Sequence, residues 1–286
     1  MRLATRLAPC FPAPRTLAAL TLLLACALPQ SAHALLINLT FATQNFTRSQ
    51  ILPNGRFGAP GSTSGGGTFE GIFNAAADIW ESVLHDNRRF NITVGWGALG
   101  TGVVGAAAPL SAFGGEIVVS NRLRQFLDAT PFQNEEFGDF SETFADLGGG
   151  TINVGRGFES STGLGSGLDL LTTVLHEIGH ILGNALDRSS PGSLFPIEDG
   201  PFAGTELPCA DIQICAHLNL SRALMNPSGA FSFYDRTLIS DADLLYVAAD
   251  GGFHDIALSA GRQIPEPPGI AALALLIFAG TRLRRR

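Results

Sequence analysis

Two segments of the chain repeat apolar residues with the period of an amphipathic helix. Apolar side chains recur every three or four positions in residues 68–85 and again in residues 168–182. Such a repeat gives each segment one apolar face, as in a helix that packs against a core. Gly183 follows the second segment and predicts its end, because glycine readily adopts the left-handed conformation that closes many helices. The apolar positions are Phe69, Ile72, Phe73, Ala76, Ile79, Trp80, Val83 and Leu84 in the first segment and Leu171, Val174, Leu175, Ile178 and Leu182 in the second.

Three other segments predict strands. Residues 89–96 alternate apolar and polar side chains, residues 116–120 are a short apolar run, and residues 151–154 are a further candidate. A short helix is expected over residues 123–128. A last helix is expected to begin after Ser240, whose hydroxyl suits the N-cap position. The mixture of helices and strands predicts an α+β fold.

The first 34 residues have the order of a secretory signal peptide. Arginines are followed by an apolar run and then by the small residues Ser-Ala-His-Ala, which end at Ala34. Export requires this order of basic, apolar and small residues, so the mature chain is expected to begin at Leu35. A lipoprotein signal that ends at Cys26 is the alternative.

The tail, residues 265–286, carries a second sorting pattern. It opens with Pro-Glu-Pro-Pro, continues with twelve largely apolar residues, 269–280, and ends in an arginine cluster. A helix of that length rises about 18 Å, short of the roughly 30 Å hydrocarbon core, so a permanent membrane span is not expected. The tail resembles the PEP-CTERM sorting signal of Gram-negative bacteria. The resemblance implies that an exosortase removes the tail at the membrane and releases the protein to the cell surface or extracellular matrix.

Composition argues against a nucleic-acid partner. The apolar fraction is 45%, with 34 glycines among 286 residues, which excludes a disordered or coiled-coil chain. Residues 35–264 hold 11 arginines against 24 acidic residues, a net charge near −13, and the chain contains no lysine. A protein of this charge repels anionic partners and lacks the basic patch that nucleic-acid binding requires.

Cys209 and Cys215 are the two cysteines left once the signal peptide is removed. An even pair, six positions apart in an exported chain, predicts a disulfide. A structural zinc site built from this pair and His217 is the alternative, because thiolate and imidazole are both zinc ligands.

The most informative motif is His176-Glu177-Ile178-Gly179-His180, inside the second predicted helix. Two imidazoles four positions apart project from the same side of a helix and can share one zinc ion. Glu177 lies between them, where its carboxylate can reach a water on the metal. A catalytic zinc needs a third protein ligand and one open position, so a further ligand must come from elsewhere in the chain.

This motif resembles the signature of the metzincin metallopeptidases, HExxHxxGxxH. Four positions match: His176, Glu177, His180 and Gly183. The position of the third histidine is occupied by Leu186, which departs from the pattern. Residues 223–228, Ala-Leu-Met-Asn-Pro-Ser, are similar to the Met-turn of the family. The resemblance implies that Met225 lies beneath the metal.

The resemblance also implies a third ligand. Matrixin-type metzincins place their third histidine eight residues before the methionine of the Met-turn, and the same count back from Met225 reaches His217. Residues 184–216 would then be an insertion between the second and third ligands, as in leishmanolysin-like members. Asp187 is the alternative third ligand, since zinc also accepts carboxylate oxygen, and His254 and Glu206 remain further candidates.

The family implies a zincin or metzincin-like catalytic domain over residues 35–264. Its fold would be a twisted, mostly parallel sheet with an active-site helix and a C-terminal helix. The flanking segments are similar to those of matrixin-like domains, so the match spans roughly residues 69–252. The cofactor would be one catalytic Zn²⁺. The acidic surface leaves room for calcium, although no twelve-residue calcium-binding loop occurs.

The implied function is a secreted zinc endopeptidase that cleaves a protein or peptide with a zinc-activated water and Glu177 as general base. Such a substrate lies antiparallel to an edge strand beside the cleft, for which residues 116–120 and 151–154 are the candidates. A non-catalytic matrix or adhesion protein that keeps the zinc-binding fold is the alternative. A zinc hydrolase acting on substrates other than peptides is a third interpretation.

Overall fold

A computed structural model gives the fold of residues 35–42, 51, 58–159, 167–183, 193–200, 202–211, 215–227 and 235–258. All of these residues belong to the compact unit Ala34–Arg286. The predicted signal peptide, the predicted sorting tail and Asp187 lie outside the described residues. Within the described part of the chain, no helix has both the length and the apolar character needed to cross a membrane.

The described residues form twelve strands and three helices. In chain order they are β1 (Leu36–Phe41), β2 (Thr63–Ser64), α1 (Phe69–Glu81), β3 (Arg89–Gly97), β4 (Gly105–Ser111), β5 (Gly114–Ser120), β6 (Gln125–Phe126), β7 (Phe140–Asp146), β8 (Thr151–Phe158), β9 (Leu168–Asp169), α2 (Leu170–Gly183), β10 (Leu194–Pro196), β11 (Glu206–Pro208), β12 (Arg236–Leu238) and α3 (Asp241–Gly251).

The largest sheet has four strands in the order β1-β3-β5-β4. The first two pairings are parallel, while β4 runs antiparallel to β5 at the edge of the sheet. Every residue of β5 is buried, as expected for a strand covered by helices on a mostly parallel sheet. The predicted α+β class and the mostly parallel character of this sheet are confirmed.

The first two helices pack on this sheet and on each other. Thr68 is the N-cap of α1, and its Oγ1 accepts a hydrogen bond from the Gly71 amide at 3.0 Å. Its apolar face is buried, and the Trp80 indole Nε1 donates a hydrogen bond of 3.0 Å to the Leu175 carbonyl of α2. This bond ties the two helices together near the middle of α2.

The start of α2 is fixed by a buried ion pair. β9 runs directly into α2, and the Asp169 carboxylate accepts a hydrogen bond of 3.1 Å from the Thr172 amide in the first turn. Arg236 of β12 donates two hydrogen bonds to the same carboxylate, at 3.1 and 3.0 Å. It also lies 2.8 Å from Asp128, with its side chain fully buried. The ion pair therefore joins α2 to the strand that precedes the last helix.

The last helix, α3, packs against α2 and against a second sheet. This antiparallel sheet has the order β12-β8-β7. Ser240 is the N-cap of α3, as the sequence predicts, and it forms a capping box with Asp243. Gly252 ends the helix with a left-handed φ of 70°. β10 and β11 pair as an antiparallel hairpin within the predicted insertion.

The prediction of a short helix over residues 123–128 is wrong. The chain there forms β6, which lies between β2 and β9 in a small parallel sheet. Backbone pairing with two distant segments overrides the local preference for a helix. The strands expected at residues 89–96, 116–120 and 151–154 are confirmed as parts of β3, β5 and β8.

Candidate metal centre

Three histidines converge at one point beside α2. His176 and His180 lie one turn apart on the helix, and their Nε2 atoms are 3.0 Å apart. His217 reaches the same point from the end of the insertion, with its ring centroid 4.7 Å from that of His180. The ligand atoms of the three residues all lie within 4.8 Å of one another. No other group of three potential ligands this close occurs among the described residues.

In two of the rings, the Nδ1 atom, here called the outer nitrogen, has a hydrogen-bond partner that fixes the tautomer. The Nδ1 atom of His176 lies 2.7 Å from the Leu224 carbonyl oxygen, which can only accept, so Nδ1 carries the proton. The Nδ1 atom of His217 lies 2.8 Å from a carboxylate oxygen of Asp211, with the same consequence. In its neutral form each ring therefore carries its lone pair on Nε2, and the Nε2 atom of His176 lies 3.0 Å from that of His180.

The protonation state of the two helix histidines favours metal binding. Burial lowers the pKa of His176 to about 4 and lowers the pKa of His180 well below its ordinary value. The two helix rings are consequently neutral near pH 7, which is the form that binds zinc. Three imidazoles, two of them with an Nδ1 atom at hydrogen-bond distance from an acceptor, are a donor set that zinc accepts. The residues present therefore fit zinc.

Glu177 lies on the same helix, packed against the edge strand. Its side chain is buried, and that burial raises the pKa of its carboxyl to about 8. Gly105, at the start of β4, leaves space for the Glu177 side chain, because a Cβ atom at Gly105 would lie 2.6 Å from the Glu177 Oε1 atom. The sequence predicts Glu177 as general base, and in the fold its side chain packs against the start of β4, one residue along α2 from His176.

Met225 lies under α2, close to the middle of the HExxH motif. A Cβ atom at Gly179 would lie 2.7 Å from the Met225 sulfur, so only glycine allows the helix this close to the methionine. Asp243 of α3 fixes the turn by accepting hydrogen bonds from the Leu224 and Met225 amides at 3.0 and 2.8 Å. The same turn supplies the carbonyl that holds His176.

The predicted disulfide pair lies next to the third histidine. The sulfurs of Cys209 and Cys215 are at disulfide distance, with Cα atoms 5.2 Å apart. This pairing contradicts the alternative in which the two thiolates and His217 hold a structural zinc ion, because bonded sulfurs cannot act as thiolate ligands. The Tyr246 hydroxyl of α3 donates a hydrogen bond to the Cys215 carbonyl.

The other candidates for a third ligand lie elsewhere. Glu206 is in β11, and His254 follows α3, where its amide donates to the Asp86 carboxylate. Neither joins the cluster. Asp187, the remaining alternative, falls outside the described residues. Of the candidates that the structure describes, His217 alone meets the two helix histidines.

The prediction that residues 116–120 or 151–154 form the edge strand beside the site is wrong. Residues 116–120 belong to β5, which lies between β3 and β4, and residues 151–154 belong to β8, the middle strand of the second sheet. The strand at the edge beside Glu177 is β4. Its sequence, Gly-Ala-Ala-Ala-Pro-Leu-Ser, shows no alternation of apolar and polar residues, so its pattern did not indicate a strand.

Sequence reasoning also missed the residues that support the site. Asp211 follows Cys209 by two positions, and Gly105 lies in a glycine- and alanine-rich segment, so neither carries a recognisable motif. Asp243 had a detectable signal, because an acidic residue three positions after a serine is typical of a helix start. Comparisons of the chain with protein-family models, with curated proteins and with solved structures found no match. Functional inference therefore depends on the geometry of the site.

Proposed function

We propose that this chain is an exported zinc-dependent endopeptidase of the metzincin type. The observation that carries the proposal is the convergence of His176, His180 and His217. Glu177 directly follows His176 in the same helix. The contact of Met225 with α2 at Gly179 adds support, since the metzincin resemblance implies a methionine beneath the metal. The signal peptide and sorting tail predicted from the sequence support delivery to the cell surface or extracellular matrix.

The arrangement of elements also supports the finer fold. A mostly parallel sheet ends in an antiparallel edge strand, a helix carries two of the histidines, and a turn and a final helix follow. The metzincin resemblance implies a mostly parallel sheet, an active-site helix and a C-terminal helix, and the described elements are compatible with it. The insertion, residues 184–216, separates Gly183 from the third histidine, and its described part contains the β10–β11 hairpin.

Glu177 performs the proton transfers in the proposed reaction. A bound zinc ion would supply a Lewis acid that polarises the peptide carbonyl and lowers the pKa of water. The Glu177 carboxylate takes a proton from the attacking water and delivers it to the leaving nitrogen. Burial raises the pKa of this carboxyl to about 8, so the carboxylate form that accepts the proton becomes more abundant as the pH rises toward 8. The raised pKa also favours holding the proton until it is delivered to the leaving nitrogen.

β4 is the proposed platform for an extended substrate. It pairs with β5 on one side, and the described residues place no strand on its other side. A peptide can add there as an antiparallel strand through main-chain hydrogen bonds. Gly105 and the three alanines that follow leave this edge unobstructed by large side chains. Pro109 lacks an N–H group, so such a ladder would be confined to the start of β4, next to Glu177.

The proposal is tested with Glu177→Gln, which keeps the size of the side chain and removes the base. The purified variant is expected to retain its zinc and its fold, while cleavage of denatured casein falls by at least 100-fold. Glu198→Gln is the matched control, because Glu198 is an exposed residue of the insertion. Zinc is measured by atomic spectroscopy and cleavage by release of labelled peptides.

Two results would contradict the peptidase. One is full casein cleavage by Glu177→Gln. The other is an unaltered protein that binds zinc but cleaves none of a panel of denatured proteins. In the second case the same protein is assayed on polysaccharides and esters, which separates another zinc hydrolase from a non-catalytic matrix or adhesion protein.

A further inference from the structure

The three histidines differ in what holds them. His176 is held by a backbone carbonyl in the buried turn at Leu224, whereas His217 is held by a side chain, the Asp211 carboxylate, at 2.8 Å. The pair is partly open to solvent: 24% of the His217 side chain and 45% of the Asp211 side chain are exposed. Ion pairs with this exposure are weak when nothing else restrains the partners, because solvent screens them and both side chains lose entropy.

A covalent restraint is present on the backbone. Asp211 lies inside the loop that Cys209 and Cys215 close, and Cys215 is only two residues before His217. The Ala210 amide, next to Asp211, donates a hydrogen bond of 2.8 Å to the His217 carbonyl. The disulfide and this bond keep the carboxylate and the imidazole on neighbouring strands of chain.

The loop is anchored to the rest of the fold on both sides. The Cys209 amide donates to the Ser193 carbonyl at 2.8 Å, and the Cys215 carbonyl accepts from the buried Tyr246 hydroxyl. The Leu218 amide, directly after His217, donates to the Met225 carbonyl at 2.9 Å. The disulfide loop is thereby tied to α3 and to the turn beneath α2, and Asp211 reaches His217 from a fixed base.

We infer that Asp211 is a positioning residue for the metal and that the Cys209–Cys215 disulfide is what makes its contact with His217 effective. The inference depends on the metal site of the proposed function. A carboxylate on the outer nitrogen of a metal-binding histidine fixes the ring orientation and raises the basicity of the inner nitrogen. Loop closure by the disulfide lowers the entropy lost when Asp211 and His217 meet. Zinc affinity therefore depends in part on Asp211, an acidic side chain that is not itself a ligand.

The test compares the zinc affinities of four forms of the full chain, by competition with a chromophoric chelator. They are the unaltered protein, Asp211→Asn, the double variant Cys209→Ser/Cys215→Ser, and Asp199→Asn as control. Asp199 is an exposed aspartate of the same insertion. Loss of partners of this kind typically weakens metal affinity 10- to 100-fold, so we expect a decrease in that range for the first two variants and none for the control.

A combined variant separates a shared effect from two independent ones. If the disulfide acts by holding Asp211, adding Asp211→Asn to the double serine variant weakens zinc binding no further than the larger single effect. If the two effects multiply instead, the disulfide does not act through Asp211 and that part of the inference falls.

Cobalt supplies a readout that general loosening of the fold would not change. In the cobalt-loaded Asp211→Asn protein, the visible absorption bands are expected to shift because the field of the His217 nitrogen changes, while circular dichroism stays that of the unaltered protein. Zinc affinity and cobalt bands equal to those of the unaltered protein would overturn the inference. Failure of the proposed metal site looks different: His217→Ala would then bind zinc as tightly as the unaltered protein.

Discussion

At the scale of single residues, the site depends on small side chains as much as on ligands. Gly105 allows the Glu177 carboxylate to lie against the backbone of β4, and Gly179 allows α2 to approach the Met225 sulfur. In both places a methyl group would occupy space that a neighbouring atom already fills. Protein interiors are packed too densely to absorb such an addition without a shift of the neighbours.

Gly105→Ala is expected to lower kcat for peptide cleavage by about 10-fold or more, because the new methyl group displaces the carboxylate of Glu177, the proposed general base. Zinc content should stay at the level of the unaltered protein, since Gly105 contacts Glu177 rather than a histidine. Steady-state kinetics on a labelled peptide and metal analysis measure the two quantities. Gly61→Ala is the control, because a methyl group at Gly61 meets no atom within 4 Å. Unchanged kcat in Gly105→Ala would contradict this role.

At the scale of elements, the position of α2 depends on what holds its first turn, its middle and its lower face. The first turn is held by Asp169 and Arg236, the middle by the Trp80 indole, and the lower face by Met225. Arg236 is the critical link, because its guanidinium is fully buried between the carboxylates of Asp128 and Asp169. The two carboxylates raise the pKa of Arg236 against the opposing effect of burial, so the arginine stays charged.

Arg236→Met is expected to lower the free energy of unfolding by about 3 to 5 kcal/mol, because it leaves two buried carboxylates without their cation. Chemical denaturation followed by circular dichroism measures this loss. Arg222→Met is the matched control: its ion pair with Glu159 is on the surface, where such pairs contribute at most about 1 kcal/mol. Equal, small losses in the two variants would show that the buried ion pair does not secure α2.

Prediction from the sequence succeeds where local chemistry repeats or matches a motif. The apolar period reveals α2, and the count from Met225 leads to His217, which the fold brings to the helix histidines. The antiparallel edge strand β4 escapes this reasoning because a run of glycine and alanine has no alternating pattern. β6 is mistaken for a helix because its pairing partners are distant in the chain.

The residues that support the site are harder still to predict. Asp211 contacts His217 because a disulfide loop and a chain of backbone hydrogen bonds bring the two together, and no spacing rule encodes that contact. Gly105 of β4 matters because the Glu177 side chain of α2 packs directly against it and leaves no room for a Cβ atom. Contacts of this kind are products of tertiary packing, so they appear only once the fold is known.

At the scale of the whole molecule, one sheet, one helix and one long insertion converge on the same point. The edge strand β4 borders Glu177, α2 supplies two histidines, and the insertion ends at the third. Asp243 ties the turn beneath α2 to the last helix. The function we propose requires all of these parts at once, with the insertion replacing the shorter spacing of the metzincin motif.

The central claim is that His217 completes a three-histidine zinc site, and the zinc content of purified variants tests it most directly. We predict one zinc per chain in the unaltered protein and in Asp187→Ala, and less than about a tenth of that amount in His217→Ala after dialysis against a chelator. One zinc per chain retained by His217→Ala and lost from Asp187→Ala would contradict the claim.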